Sequence, residues 1–393
     1  HEGTRLHLPF VLPGERVSAR LSGERVEDVS VLEASPERIA PTCPHFGACG
    51  GCALQHWTPE AVARWKRERI LSALRFVGLE APVAETIDAH GAGRRRVTLH
   101  IRRSEDGVTR AGFMRAKSHA LIDLDICPLL VPALQPAADI ARKIGHILRG
   151  TTKPLDLQVS ASIEGLDCDI RGSGPLSEGL RQKLVALAVE EKLARLTLHG
   201  ERLIEARMPR IQFEDKPEMA AFLPPGSFLQ ATGEAEATLA RLALEGLSGA
   251  KHVAELFCGL GPFGLRLSRH MKVTGYDSDK GAIEAFQRSI RAHPGGKPIT
   301  AEARDLFRRP LFSPELKPFD AVLLDPPRQG AEAQMREITK SKLSRLVYVS
   351  CDPESFARDA KILAGAGVTV KKVTPVDQFR HSPHVELVAE MAR

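Results

Sequence analysis

The sequence predicts an α/β protein. Its C-terminal part reads as a doubly wound, mostly parallel sheet, preceded by an α+β segment with clustered cysteines and by part of a small β-barrel. Three observations lead there. Val253-Ala254-Glu255-Leu256 runs into Gly259-x-Gly261-x-x-Gly264, the order strand, tight turn, helix. Further apolar runs ending in acidic residues alternate with helical stretches, as in a sheet covered on both faces. Cys43, Cys49 and Cys52 stand close together in a chain without a secretory signal.

Taken in order, residues 1–40 read as short strands, Leu6 to Val11, Arg16 to Leu21 and Val26 to Leu32, with a Pro13-Gly14 turn. The chain opens on His1 rather than Met, and the barrel is expected to lack its opening strand. Residues 41–225 form the central segment. In it the cysteine loop is followed by a helix with Thr58 as N-cap and Pro59 at its first position. Strands Arg96 to Ile101 and Ala111 to Arg115 come next, then further strands and two helices. Residues 226–393 carry the doubly wound sheet. A helix from Glu234 to Leu247 leads into strands at Val253, Lys272 to Tyr276, Ala321 to Leu324, Leu346 to Ser350 and Glu386 to Glu390.

A length of 393 residues suits two or three domains, and 43% hydrophobic residues supply ample core. No apolar run is long enough for a membrane span, so a cytoplasmic protein without a membrane partner is expected. A net charge of +6 leans towards a polyanionic partner. Arg94-Arg95-Arg96, Arg102-Arg103, Arg110, Arg115 and Lys117 would make a phosphate track if they shared a face, and a solvated charged surface if they did not. Nothing suggests a dimer seam, so a monomer is expected.

The carboxyl ends of parallel strands hold ligands in such sheets. The glycines allow close backbone approach, and Asp277 closes the next strand where a carboxylate can accept from ribose hydroxyls. Both features suit NAD and S-adenosylmethionine alike. Asp325-Pro326-Pro327-Arg328 then ends an apolar strand in a stiff loop, and acidic residues recur at Glu255, Asp277, Asp305 and Asp325, which favours S-adenosylmethionine. Cys351 follows Val347-Tyr348-Val349-Ser350 at the same edge. A thiolate there can add to carbon 6 of a pyrimidine and later leave. Glu386, in an otherwise apolar strand, could remove the carbon 5 proton with a pKa raised by burial. A buried structural cysteine and an edge-strand glutamate remain the plainer alternatives. Cys43-x5-Cys49-x2-Cys52 with Cys127 supplies four thiolates, which zinc accepts as readily as an iron–sulfur cluster. Cys168 and Cys258 read as ordinary residues.

Together these segments resemble the RNA uracil-5 methyltransferase family over nearly the whole chain. Thr42-Cys43-Pro44-His45-Phe46-Gly47-Ala48-Cys49-Gly50-Gly51-Cys52 is similar to its cluster loop and Ile126-Cys127-Pro128-Leu129 to the segment with the fourth cysteine. Pro225-Gly226-Ser227-Phe228-Leu229-Gln230, Leu256-Phe257-Cys258-Gly259-Leu260-Gly261, Asp325-Pro326-Pro327-Arg328 and Ser350-Cys351-Asp352-Pro353 are similar to the remaining signatures. The resemblance implies a Rossmann-like methyltransferase sheet, a TRAM-like barrel at the N-terminus and a [4Fe–4S] cluster on Cys43, Cys49, Cys52 and Cys127. It implies Cys351 as nucleophile and Glu386 as base. It implies cofactor contacts at Gln230, Phe257, Gly259, Asp277, Asp305 and Asp325, with Gln230 and Asp325 also facing the uracil. The implied substrate is RNA in a single-stranded or loop region, 23S ribosomal RNA before the transfer RNA T-loop. Two departures stand out: Pro262 where relatives often carry Asn, and Glu255 in place of the commoner Asp.

Rival classes fit less of the chain. An amino-group methyltransferase would follow Pro-Pro with an aromatic residue, where Arg328 stands. An NAD-dependent oxidoreductase leaves Cys351 and Glu386 without a role. A non-enzymatic RNA-binding protein would not need Cys351, Glu386 and Asp325 intact.

Overall fold

The computed structural model describes residues 6–22, 25–104, 106–116, 118–151 and 153–393. Lys117 of the basic stretch lies outside them.

The C-terminal sheet has eight strands, in the order Ile299–Ala303, Lys272–Asp277, His252–Leu256, Ala321–Leu324, Arg345–Ser350, Glu386–Ala392, Thr369–Asp377 and Ile87–Asp88. The first five are parallel to one another, and Glu386–Ala392 returns antiparallel between Arg345–Ser350 and Thr369–Asp377. Period-two alternation divides the core. Ala254, Leu256, Val322, Leu324, Leu346 and Tyr348 face one layer, and Val253, Ala321, Leu323, Val347 and Val349 the other. Helices Pro353–Ala364 and Glu332–Thr339 pack on the first layer, and helices Gly233–Gly246 and Pro262–Leu267 on the second. Burial on both faces explains why these strands read as continuous apolar runs. The strand order reverses between His252–Leu256 and Ala321–Leu324, which opens a crevice at their carboxyl ends.

The central segment is a seven-stranded sheet running Glu201–Glu205, Arg195–Leu198, Gly165–Arg171, Leu155–Ser162, Arg96–Arg103, Thr109–Met114 and Leu121–Asp123. Helices Ala137–Ile147 and Glu178–Glu190 cover one face with their own core. The helix expected after the cysteine loop spans Pro59–Phe76, with Thr58 at the N-cap but making no side-chain cap bond. This helix packs through Ile70, Ala73 and Leu74 into the C-terminal sheet's core, and Ile87–Asp88 adds a strand to that sheet. The chain therefore crosses to the C-terminal sheet well before residue 226.

At the N-terminus, Arg16–Ser22 and Arg25–Glu33 pair antiparallel as a two-stranded sheet. The described residues build no closed barrel, and Leu6 to Val11 is not a strand. Leu12 instead packs with Trp57, Ala61 and Val62, and its N–H donates to Glu15 Oε2 at 2.8 Å, which fixes this segment as a turn.

Candidate active site

The Gly259–Gly264 turn is shaped by contacts that exclude side chains. Gly261 caps the helix Pro262–Leu267 at φ 71°, and a Cβ there would lie 2.1 Å from the Phe286 ring. A Cβ on Gly264 would lie 2.2 Å from Glu255 Oε2. Pro262 takes the first helical position, where no N–H is needed. Glu255 is 1% exposed and its Oε1 accepts from the Gly264 N–H at 3.1 Å, while Oε2 has no partner. Burial, with Asp325 and Asp277 adding to it, pushes the Glu255 carboxyl up to about 8. Glu255 therefore braces the turn from beneath.

Above the turn lies a cavity of about 560 Å³, within the usual range for a small-molecule site. Phe257, Gly259 and Asp277 line it together with Gln230, Asp325, Cys351 and Glu386. Phe257 takes a left-handed φ of 63°, and its ring lies 5.3 Å from that of Phe307. Asp277 Oδ2 accepts from the Gly259 N–H and Oδ1 from the Asp279 N–H, each at 2.9 Å. A carboxylate has about four lone-pair sites, so capacity for ribose hydroxyls remains. Asp305 is not brought to the cavity. Its Oδ1 accepts from the N–H groups of Phe307 and Arg308 at 3.0 and 3.1 Å, which holds the turn that presents Phe307.

Sheet register sets the reactive end. Ser350 pairs with Leu387 in the antiparallel ladder, so the next residue, Cys351, comes opposite Glu386. Glu386 is 4% exposed, and burial followed by the charge of Asp325 raises its pKa to about 8. Asp325 is raised to about 7 by desolvation and by Asp277, against a hydrogen bond from Gln230. Burial, then Glu386 and Asp325, push the Cys351 thiol up to about 11, and Arg328 pulls it down. Arg328 Nη2 also lies 3.0 Å from His384 Nδ1 at the cavity wall.

A residue absent from the sequence-based set connects these groups. Gln378, 1% exposed, donates from Nε2 to Gln230 Oε1 at 2.8 Å and to Glu386 Oε1 at 3.0 Å. It follows strand Thr369–Asp377, whose Val376-Asp377 ending repeats the apolar-then-acidic signal that marked the other strands.

Cys43, Cys49, Cys52 and Cys127 line a second cavity of about 250 Å³, together with Arg94. Burial, then the charges of Cys127 and Cys49, push Cys52 up to about 11. Four thiols about one cavity form a donor set that a metal centre accepts. No group of three or more His, Cys, Asp or Glu is placed to hold a single metal ion among the described residues. The loop is tied to the active site, since the Ala53 and Leu54 N–H groups both donate to His381 O at 2.8 and 3.1 Å. Arg94 lies over the Phe379 ring, 5.6 Å from its centroid.

The basic residues share a face only in part. Arg102 pairs with Arg110 across two strands, and Arg96 falls on the same side by period-two alternation, opposite the buried Val97, Leu99 and Ile101, whereas Arg95 does not join them. Arg95 is buried in an ion pair with Glu236 and donates to Gln230 O at 3.2 Å. Arg96 donates to Gln158 at 2.6 Å, and Arg110 to Asp106 at 2.6 Å.

This fold and its cavity define an α/β methyltransferase. A solved structure of the Pyrococcus abyssi tRNA (uracil-54, C5)-methyltransferase with S-adenosyl-L-homocysteine superposes with a TM-score of 0.75 at 23% identity, covering 98% of this chain and 94% of that one. Residues 300–391 match the family model described as tRNA (Uracil-5-)-methyltransferase. A Brucella suis protein described as an uncharacterized RNA methyltransferase is 43% identical over 99% of this chain and 93% of its own. The Chromohalobacter salexigens 23S rRNA (uracil(1939)-C(5))-methyltransferase RlmD is 31% identical over 100% of this chain and 85% of its own. The chain belongs to the RNA (uracil-5-)-methyltransferase family and is an S-adenosylmethionine-dependent enzyme. No helix among the described residues is long and apolar enough to cross a membrane.

Proposed function

We propose that this enzyme methylates carbon 5 of a uridine in a loop of 23S ribosomal RNA through a covalent cysteine adduct. The observation that carries this reading is a single cavity lined by Cys351, Glu386, Asp325 and Gln230 together with the Gly259 turn and Asp277. Phe257, Gly259 and Asp277 hold the nucleoside part of S-adenosylmethionine, and Asp305 acts indirectly by holding the turn of Phe307. Gln230 and Asp325 stand between cofactor and base. The Cys351 thiolate would add to carbon 6, and carbon 5 would take the methyl group from the cofactor's sulfonium with S-adenosyl-L-homocysteine left behind. Glu386 would then remove the carbon 5 proton so that the thiolate is expelled and the ring double bond restored. A base with a pKa near the working pH suits that step. The target must leave its stack to reach Cys351, at roughly a few kcal/mol, which favours a loop over a duplex. The ribosomal choice rests on likeness to the RlmD relative over the full chain.

Cys43, Cys49, Cys52 and Cys127 would hold a [4Fe–4S] cluster. Tetrahedral zinc, at about 2.3 Å from each sulfur, needs thiolates about 3.8 Å apart. The choice of a cubane over zinc rests on the resemblance of the cysteine loop to the family's cluster loop, and the four thiols lining one cavity are consistent with it. Such a cluster would serve a structural or RNA-positioning role, since the loop that holds it is bonded to the turn beside the active site. The protein acts in the cytoplasm as a monomer.

The test is incubation with labelled S-adenosylmethionine and unmodified 23S or transfer RNA, mapping 5-methyluridine and comparing Cys351→Ala. Cysteine-dependent label in 23S RNA is expected. Label confined to transfer RNA overturns the substrate, and label that survives Cys351→Ala overturns the adduct.

A further inference from the structure

We infer that Gln378 is a positioning residue that fixes the polarity of Gln230 and the orientation of Glu386, and so sets which base edge the site accepts. The inference rests on the function proposed above and deepens it.

The carboxamide of Gln378 is fully used. Its two N–H groups go to Gln230 Oε1 and Glu386 Oε1, and its oxygen accepts the Ala231 N–H at 2.7 Å. A flipped amide would set its oxygen against two acceptors and its NH2 against a donor, so only one orientation is compatible with the surroundings. The consequence passes to Gln230. With its oxygen occupied by Gln378, Gln230 turns Nε2 to Asp325 Oδ2 at 3.4 Å. The Gln230 backbone cannot drift, because its carbonyl is held by Arg95 and the next N–H by Gln378. The cavity therefore presents an amide donor beside a carboxylate acceptor. That pair complements the O4 and N3–H of uracil. Cytosine sets an amino donor against the Gln230 donor and a bare N3 against the Asp325 carboxylate, and protonating Asp325 would relieve only the second mismatch.

At Glu386 the second Gln378 N–H favours the ionised base. The other groups acting on Glu386 are Asp325, which opposes ionisation, and Arg328, which favours it; the Cys351 thiol stands opposite, and His384 lies two residues away beside Arg328. Gln378 itself is absent from the wall of the cavity, so it acts through its two partners.

The experiment uses the full-length enzyme with its cluster, comparing wild type with Gln378→Met and Gln378→Glu. Methyl transfer to uridine-containing RNA is followed from pH 6 to 10, with cofactor affinity measured separately. Gln378→Met should lower kcat/KM about tenfold at pH 7 and move the ascending limb of the profile up by about one unit, the value of one hydrogen bond to a charged group. Gln378→Glu, close to Gln in shape, should move the limb further in the same direction, and it serves if the methionine variant fails to fold. Cofactor affinity should stay within about twofold, since a purely structural collapse would lower it too. A pH profile unchanged in either folded variant overturns the inference. Absence of uridine methylation by wild type overturns the function on which it rests instead.

Discussion

Replacing Glu255 by Gln tests the reading of the glycine turn through stability rather than activity. In the folded protein the Glu255 carboxyl titrates at about 8 instead of 4.5, because it is buried with one oxygen unpartnered. Below pH 4.5 the group is protonated in both states and contributes nothing. Between 4.5 and 8 the folded state binds the extra proton, so stability falls as pH rises and the loss is complete above 8. A shift of that size corresponds to roughly 4–5 kcal/mol at about 1.4 kcal/mol per unit. For one cooperative unit of 393 residues, at about 2.1 cal/mol/K per residue, this amounts to about 5 °C in Tm. The glutamine side chain in E255Q carries no charge, so its carboxamide oxygen can still accept the Gly264 N–H without that penalty. Glu386 titrates in the same window in both proteins and cancels, whereas Asp325 acts on Glu255, so repeating the comparison in an Asp325→Asn background isolates Glu255. Thermal unfolding followed from pH 5 to 9 should show the E255Q curve pulling away above wild type as pH rises. Parallel curves across that range would refute the reasoning, because they would mean that the carboxyl is solvated in the folded enzyme.

Three further outcomes follow from the geometry. Asp277→Asn should weaken cofactor binding about tenfold by calorimetry, as a charged acceptor is lost at the turn, and unchanged affinity would remove Asp277 from the cofactor site. Glu386→Gln should lower turnover by about 10²-fold or more while an RNA–protein adduct accumulates on denaturing gels; a clean gel with slow turnover would assign the proton abstraction to another group. Gly261→Ala should destabilise the enzyme by at least about 1–3 kcal/mol in urea denaturation, since φ is 71° and the new Cβ meets the Phe286 ring. A wild-type midpoint would show that the turn can relax.

The parts of the fold that sequence made legible share one physical cause. Strands His252–Leu256, Lys272–Asp277, Ala321–Leu324 and Arg345–Ser350 lie between two helical layers, and burial on both faces writes itself as an apolar run. Ile299–Ala303 is the edge strand and mostly exposed, so Thr300, Glu302 and the alanines carry no such signal. Thr369–Asp377 contains Lys371, Lys372 and Pro375, with a register shift between Val370 and Lys372, each of which argues against a central strand. Missing that strand concealed Gln378, which stands directly after it.

The meeting of Cys351 with Glu386 was legible in kind but not in place. Cys351 and Glu386 could each be singled out as a reactive side chain at a strand end, and nothing in local pattern says that they meet. They meet because one strand runs backwards. In a wholly parallel sheet every strand brings its last residue to the ligand edge, and a residue that opens a strand lies at the far side. Glu386 opens its strand, yet antiparallel pairing with Arg345–Ser350 and Thr369–Asp377 puts that opening residue where its neighbours end. The reversal also buries Glu386 between two strands, which raises its pKa towards what the proposed proton abstraction needs. Position and basicity of the group therefore come from one topological feature, and a change of register by a single residue would turn Glu386 to the opposite face and remove both.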